Sequence, residues 1–202
     1  KRQFEILKNC KQSTQIKNQE EHKMTYKYMY KTPENFSNMI MNSDGEYLTG
    51  LWFEGSRDSS KHIINCEEKE IEIFKETSKW LDIYFSGKNP NFIPKYKIKN
   101  LTPFRQEVTN IMNSIEYGKV VTYNDISKII AKKRNLKRMS SQAVGGAVGW
   151  NPICIIIPCH RVVGTNGSLT GYGGGIKNKV ELLKLEGNDM NKYFIPKKGI
   201  AL

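Results

Sequence analysis

The apolar residues change their spacing part-way along the chain, and that change restricts the fold more than any other feature. From Met24 onward they alternate or cluster in MTYKYMYK, FSNMIMN and EYLTGLWFEG, with Ser43-Asp44-Gly45 as a turn, which is the pattern of antiparallel strands. After Cys66 the spacing becomes helical: Ile73, Phe74, Thr77, Trp80, Leu81, Tyr84 and Phe85 recur on one face until Gly87. Two prolines, a glycine and many polar residues then fill 86–100, which places a linker at 89–101.

Beyond the linker the pattern is helical. Thr102-Pro103 is a helix start, and Phe104, Val108, Ile111, Met112 and Ile115 form one stripe predicted to end near Gly118. Thr122 and Asp125 have capping spacing ahead of Ile126, Ile129 and Ile130. A basic loop, KKRNLKR, separates this helix from SSQAVGGAVG, capped by Ser140, and two short helices about a turn suggest a helix-turn-helix. The fold expected is α+β. A polar extension (1–23) precedes a small antiparallel sheet with a helix (24–88), and the linker leads to a mostly helical, winged-helix-like domain (102–190) and a tail (191–202).

Composition narrows the partners. Lysine and arginine number 32 against 20 acidic residues, and a net charge of +12 favours polyanions, although a lysine-rich solvated surface explains it equally well. No apolar run reaches the roughly 18 residues of a membrane span, and the polar N-terminus has no signal-like segment, so a cytoplasmic protein is expected. The cysteines at 10, 66, 154 and 159 form no C-x-x-C pair and read as reduced thiols. Cys10, His22, His62 and Cys66 match no common zinc spacing and read as scattered residues; no metal or cofactor is expected.

Two features carry chemistry. Gly145 and Gly146 lie inside a helix, where each costs about 1 kcal/mol relative to alanine, so close approach of a protein neighbour or of a nucleic-acid groove must offset them. Residues 153–157, ICIII, read as a buried strand that delivers Pro158-Cys159-His160-Arg161 to the rim of a core, with Gly171-Tyr172-Gly173-Gly174-Gly175 shortly after. An adjacent histidine or cation lowers the effective pKa of a thiol, and Glu186 on the last helix is a candidate to orient His160.

With these residues in place, IPCHRVVGTNGSLTGYGGG resembles the active-site signature of the O6-alkylguanine-DNA alkyltransferases, and FRQEV, YGKVVTY, QAVGGAVGWNP and LLKLEG extend the likeness in order over 102–187. The resemblance implies a ribonuclease H-like N-terminal domain and a single-turnover methyltransferase. Such a protein flips O6-alkylguanine, chiefly O6-methylguanine with O4-methylthymine as a further candidate, from the minor groove of duplex DNA and keeps the alkyl group. It implies Cys159 as acceptor, His160 as base through a water, Glu186 as its orienting group, Tyr123 as donor toward the guanine ring and Asn151 as brace. Val162, Tyr172, Gly173 and Gly174 would line the substrate. Tyr123, Asn124, Gln142, Ala143, Gly146 and Arg161 would contact DNA. A monomer, associated with the nucleoid when bound, is the expected state.

The chain departs from the family pattern at three places. Gln142 stands where an arginine commonly fills the space of the flipped base, the loop at 132–138 is longer and more basic, and Thr109 replaces a common tryptophan. A lesion-binding protein without transfer chemistry is disfavoured by the presence of Cys159. A helix-turn-helix regulator has no use for the PCHR segment, and a cysteine hydrolase lacks an evident water-activating group.

Overall fold

The computed structural model describes residues 24–56, 59 and 65–197. The extension 1–23 lies outside the described residues, as do three of the four zinc candidates. The fourth, Cys66, accepts hydrogen bonds from Thr25 Oγ1 at 3.4 Å and Asn42 Nδ2 at 3.9 Å.

Strands β1 (Tyr26–Tyr30), β2 (Met39–Ser43) and β3 (Leu48–Phe53) pair antiparallel as expected. The Asp44 side chain shapes the turn before β3: its Oδ1 accepts from Tyr47 N at 2.9 Å, and Gly45 takes a φ of 99° that suits glycine. A two-residue strand, β4 (Glu67–Glu68), adds a parallel edge to β1, so the sheet order is β3-β2-β1-β4. Helix α1 (Glu72–Phe85) buries the predicted stripe of Ile73, Phe74, Thr77, Trp80, Leu81 and Tyr84.

In the C-terminal half, α2 (Pro103–Asn113) begins at Thr102, whose hydroxyl accepts from Arg105 N at 3.3 Å. It stops earlier than its apolar stripe suggests. The Ser114 hydroxyl bonds back to Ile111 O at 2.8 Å, and Ile115 is buried beyond the helix instead of within it. Helix α3 (Tyr123–Lys133) has the full predicted capping box: Thr122 Oγ1 accepts from Asp125 N, and the Asp125 carboxylate accepts from Thr122 N, both at 3.0 Å. Helix α4 (Ser141–Gly149), capped by Ser140, packs on α3 to form the helix-turn-helix. Helix α5 (Ile176–Leu185) closes the domain. Val121–Thr122 (β5) and Val162–Val163 (β6) form a short parallel ladder that brings the start of α3 beside the Cys159 segment.

The expected strand at 153–157 is absent. Ile153 makes one parallel bridge to Leu51, after which the chain turns, with Ile157 N bonded to Ile153 O at 3.0 Å. Ile155 takes a φ of 69°, a left-handed conformation that costs a β-branched residue of order 1–3 kcal/mol. Burial compensates: Ile153, Ile155, Ile156 and Ile157 all enter the core. That core is continuous through both halves, joining Met41, Leu51 and Phe74 to Val108, Ile126, Val148 and Leu182. Among the described residues no helix is long and apolar enough to cross a membrane.

Candidate active site

Asn151, at the end of α4, organises the turn that carries the thiol. Its Oδ1 accepts from Ile153 N at 3.0 Å, and its Nδ2 lies 2.9 Å from both Ile157 O and Cys159 Sγ. One amide therefore ties off the backbone groups that a strand would have used and also donates to the sulfur. Cys159 opens a short 3-10 helix, Cys159–Arg161, and is 5% exposed. A hydrogen bond from Cys154 holds its pKa below the ordinary thiol value, with Asn151 and the Lys179 ammonium acting the same way and burial opposing them.

His160 is fully buried, and its Nε2 lies 2.8 Å from Glu186 Oε1. The same carboxylate, at the C-cap of α5, accepts from Tyr84 Oη at 2.7 Å, from Arg161 Nε and Nη2 at 2.9 Å, and from Gly118 N at 3.1 Å. Burial alone would raise the Glu186 pKa, but donors from His160 and Arg161 outweigh it and hold the carboxyl at about 2. Because Glu186 is an ionised acceptor, Nε2 of His160 carries the proton and Nδ1 is the basic nitrogen. Burial keeps the imidazole pKa below its usual value, against the pull of Glu186, so the ring is neutral at physiological pH. Nδ1 is buried and has no hydrogen-bond partner in the fold.

Arg161, expected to contact DNA, belongs to this buried network instead. Beyond Glu186 it donates to Ile115 O at 2.7 Å and lies over the Tyr117 ring, so its guanidinium is spent inside the protein. Two further groups were not singled out from the sequence. Tyr84 sits on the core stripe of α1, where an aromatic residue signals packing and nothing marks its hydroxyl. Lys179 of α5 is fully buried with Nζ donating to Val162 O at 2.7 Å, and burial lowers its pKa to about 8. That bond engages the carbonyl of Val162, which lies in β6 outside the lining of both cavities described next.

A cavity of about 330 Å³ opens between α3, α4 and the glycine loop, lined by Tyr123, Asn124, Gln142, Gly145 and Gly173 among others. Its inner wall, Gly149, Gly171 and Gly173, is shared with a cavity of about 10 Å³ that reaches Cys159, Cys154, Asn151 and Tyr172. Tyr123 donates to Thr170 O and Gly171 O, both at 3.2 Å, and burial raises its pKa, so it keeps its proton. Gly174 is a packing residue: an added Cβ would meet Tyr172 at 2.6 Å and Phe53 at 2.7 Å. Ala143 and Gly146 are exposed on α4 outside the cavity. A Cβ at Gly146 or Gly149 would meet nothing within 4 Å, and one at Gly145 only the Tyr123 ring at 3.9 Å. Packing inside the protein therefore does not account for these glycines.

Known proteins resemble this chain in sequence and fold. The family described as 6-O-methylguanine DNA methyltransferase, DNA binding domain, matches residues 103–188. A methylated-DNA–protein-cysteine methyltransferase of Methanosarcina acetivorans is 44% identical over 58% of this chain and 71% of its own length. Among solved structures, the O6-methylguanine methyltransferase of Mycobacterium tuberculosis superposes with a TM-score of 0.67 at 33% identity, covering 81% of this chain and 93% of that one. The same organism's protein in complex with DNA gives a TM-score of 0.66 at 31% identity, over 83% and 94% of the two chains. A Haemophilus influenzae homologue, 34% identical over 81% of this chain and 88% of its own, completes the assignment: the chain belongs to the methylated-DNA–protein-cysteine methyltransferase family.

Proposed function

We propose that this protein repairs duplex DNA by moving an alkyl group from O6 of an everted guanine onto Cys159 Sγ, once per molecule. The observation that carries the reading is an acidified thiol, braced by Asn151, behind the shared glycine wall of a base-sized cavity. The cavity volume of about 330 Å³ falls at the lower end of ordinary ligand pockets. The smaller space beside the sulfur suits one water-sized group, which matches a methyl substituent.

The proton leaves Cys159 for Nδ1 of His160 through a bridging water, and Glu186 stabilises the imidazolium through Nε2. The thiolate then attacks the alkyl carbon. The C–S bond forms as the C–O bond breaks, and the electron pair passes to O6 and the guanine ring. Tyr123 turns its hydroxyl from Thr170 O and Gly171 O toward the ring, while the N–H of Gly173 faces O6. The thioether has no internal route back to a thiol, so the reaction ends there.

Extrusion of the base is supported by α4. Its exposed Ala143 and Gly146 allow a backbone approach to the minor groove, and Gln142 and Asn124 stand at the mouth of the cavity. Glutamine is shorter than arginine but can hydrogen-bond the orphaned cytosine. Incubation with an O6-methylguanine duplex should add one methyl mass to the peptide bearing Cys159 and none in Cys159→Ala. Folded wild-type protein without an adduct would refute the proposal.

A further inference from the structure

We propose that Cys154 and Cys159 form a dithiol pair that a hydroperoxide closes into a disulfide, reversibly blocking the alkyl acceptor. Both side chains line the cavity of about 10 Å³, both are nearly buried, and neither is in a disulfide. The Cys154 thiol is the neighbour that most lowers the pKa of Cys159. A disulfide sets the sulfurs about 2 Å apart and the Cα atoms about 4.4–6.8 Å apart, and the two cysteines, five residues apart, already meet at one water-sized cavity. The turn between them is fastened by the Ile157 N to Ile153 O bond and by the Asn151 amide. The Tyr172 hydroxyl is buried in the same wall, with Cys154 as a hydrogen-bonding neighbour.

The space beside the sulfurs fits the reagent, since hydrogen peroxide is scarcely larger than water and the cavity admits about one such molecule. The Cys159 thiolate attacks one peroxide oxygen, the O–O bond breaks, and hydroxide leaves, giving a sulfenic acid. The Tyr172 hydroxyl, in the wall of the same cavity, is placed to hold that new oxygen. Cys154 sulfur then attacks the sulfenic sulfur: the S–S bond forms, the S–O bond breaks, and the departing oxygen leaves as water with the Cys154 proton. Overall, two thiols and one peroxide yield one disulfide and two waters, and a dithiol reductant reverses the change. Closure at this stage keeps Cys159 from irreversible oxidation to sulfinic acid.

The pair stands on its own geometry, and only its consequence for repair rests on Cys159 being the acceptor. The test treats the full chain with hydrogen peroxide, blocks remaining thiols with iodoacetamide under denaturing conditions, and examines the tryptic peptide Met139–Arg161, which holds both cysteines. The expected peptide has lost two hydrogens and carries no block, and dithiothreitol restores both blocking sites together with methyl-acceptor capacity. In Cys154→Ser, dithiothreitol should no longer recover capacity, measured against that variant's own untreated level, because Cys159 proceeds to sulfinic acid. Wild-type peptide with sulfinic Cys159 and a blocked Cys154 overturns the pair, whether or not the variant folds. If the disulfide forms but untreated protein takes no methyl group, the acceptor reading fails and the pair survives.

Discussion

Replacing Glu186 by glutamine tests the buried network at its centre. The carboxylate accepts from His160, Tyr84, Arg161 and Gly118, whereas a glutamine offers one acceptor oxygen and turns an NH₂ group toward existing donors. Arg161 would keep only Ile115 O as a strong acceptor, and stranding a buried charge in this way costs about 3–5 kcal/mol. Titration gives a second figure. A carboxyl held at about 2 instead of its ordinary 4.5, at about 1.36 kcal/mol per pH unit, contributes roughly 3 kcal/mol. The folded pKa is depressed, so this contribution is complete above pH 4.5 and is lost as pH falls toward 2. His160 adds loss of the same sign below 6.5, since its folded pKa is also depressed. Urea unfolding of Glu186→Gln at pH 7 should therefore show about 3 kcal/mol less stability than wild type, and the gap should narrow at pH 3. Single-turnover methyl transfer should slow by about 100-fold or more as the base loses its anchor. A folded variant within about 1 kcal/mol of wild type at pH 7 would refute the account of the network.

Two further variants test the turn beside Glu186 and the basic loop between α3 and α4. Gly118→Ala should destabilise by about 1–3 kcal/mol in thermal or urea unfolding, because its φ is 73° and the new Cβ would lie 2.9 Å from Glu186 O; a neutral effect would mean that the turn yields freely. Exchanging Lys137 and Arg138, both exposed in the loop between α3 and α4, for alanine should lower the slope of log binding constant against log salt by about 2, and an unchanged slope would remove this loop from the phosphate contacts.

What the sequence discloses about the site follows the range of the interactions involved. Thr122 with Asp125, Thr102 with Pro103 and the stripe of α1 are settled by neighbours within one or two helical turns, and each is legible. The 153–157 run misleads because strand propensity is local, whereas its conformation is imposed by the Asn151 amide and by the bridge to Leu51. Arg161 misleads for a similar reason. An arginine beside a DNA-binding motif reads as a surface contact until the chain brings Glu186, 25 residues away, against it. Cys159, His160 and Glu186 are legible through the family signature, and the structure adds that Nε2 of His160 faces Glu186 while Nδ1 has no hydrogen-bond partner. Tyr84 and Lys179 carry no such mark: a core stripe predicts burial of a ring, and a lysine predicts a solvated face.

The N-terminal half has little diagnostic sequence, yet it is built into the site. Leu51 N donates to Pro152 O at 2.8 Å and Cys154 N donates to Leu51 O at 2.9 Å, so β3 clamps both sides of the turn that carries the thiols. Tyr84 of α1 supplies one of the shortest bonds to Glu186. These contacts use backbone groups and a single hydroxyl, which many sequences can provide, and this explains how a half with few signature residues still fixes the geometry. A segment limited to 103–188 would lose the clamp and the hydroxyl together. It would also expose the isoleucines whose burial offsets the strained Ile155, so the turn that holds Cys159 depends on both halves folding as one unit.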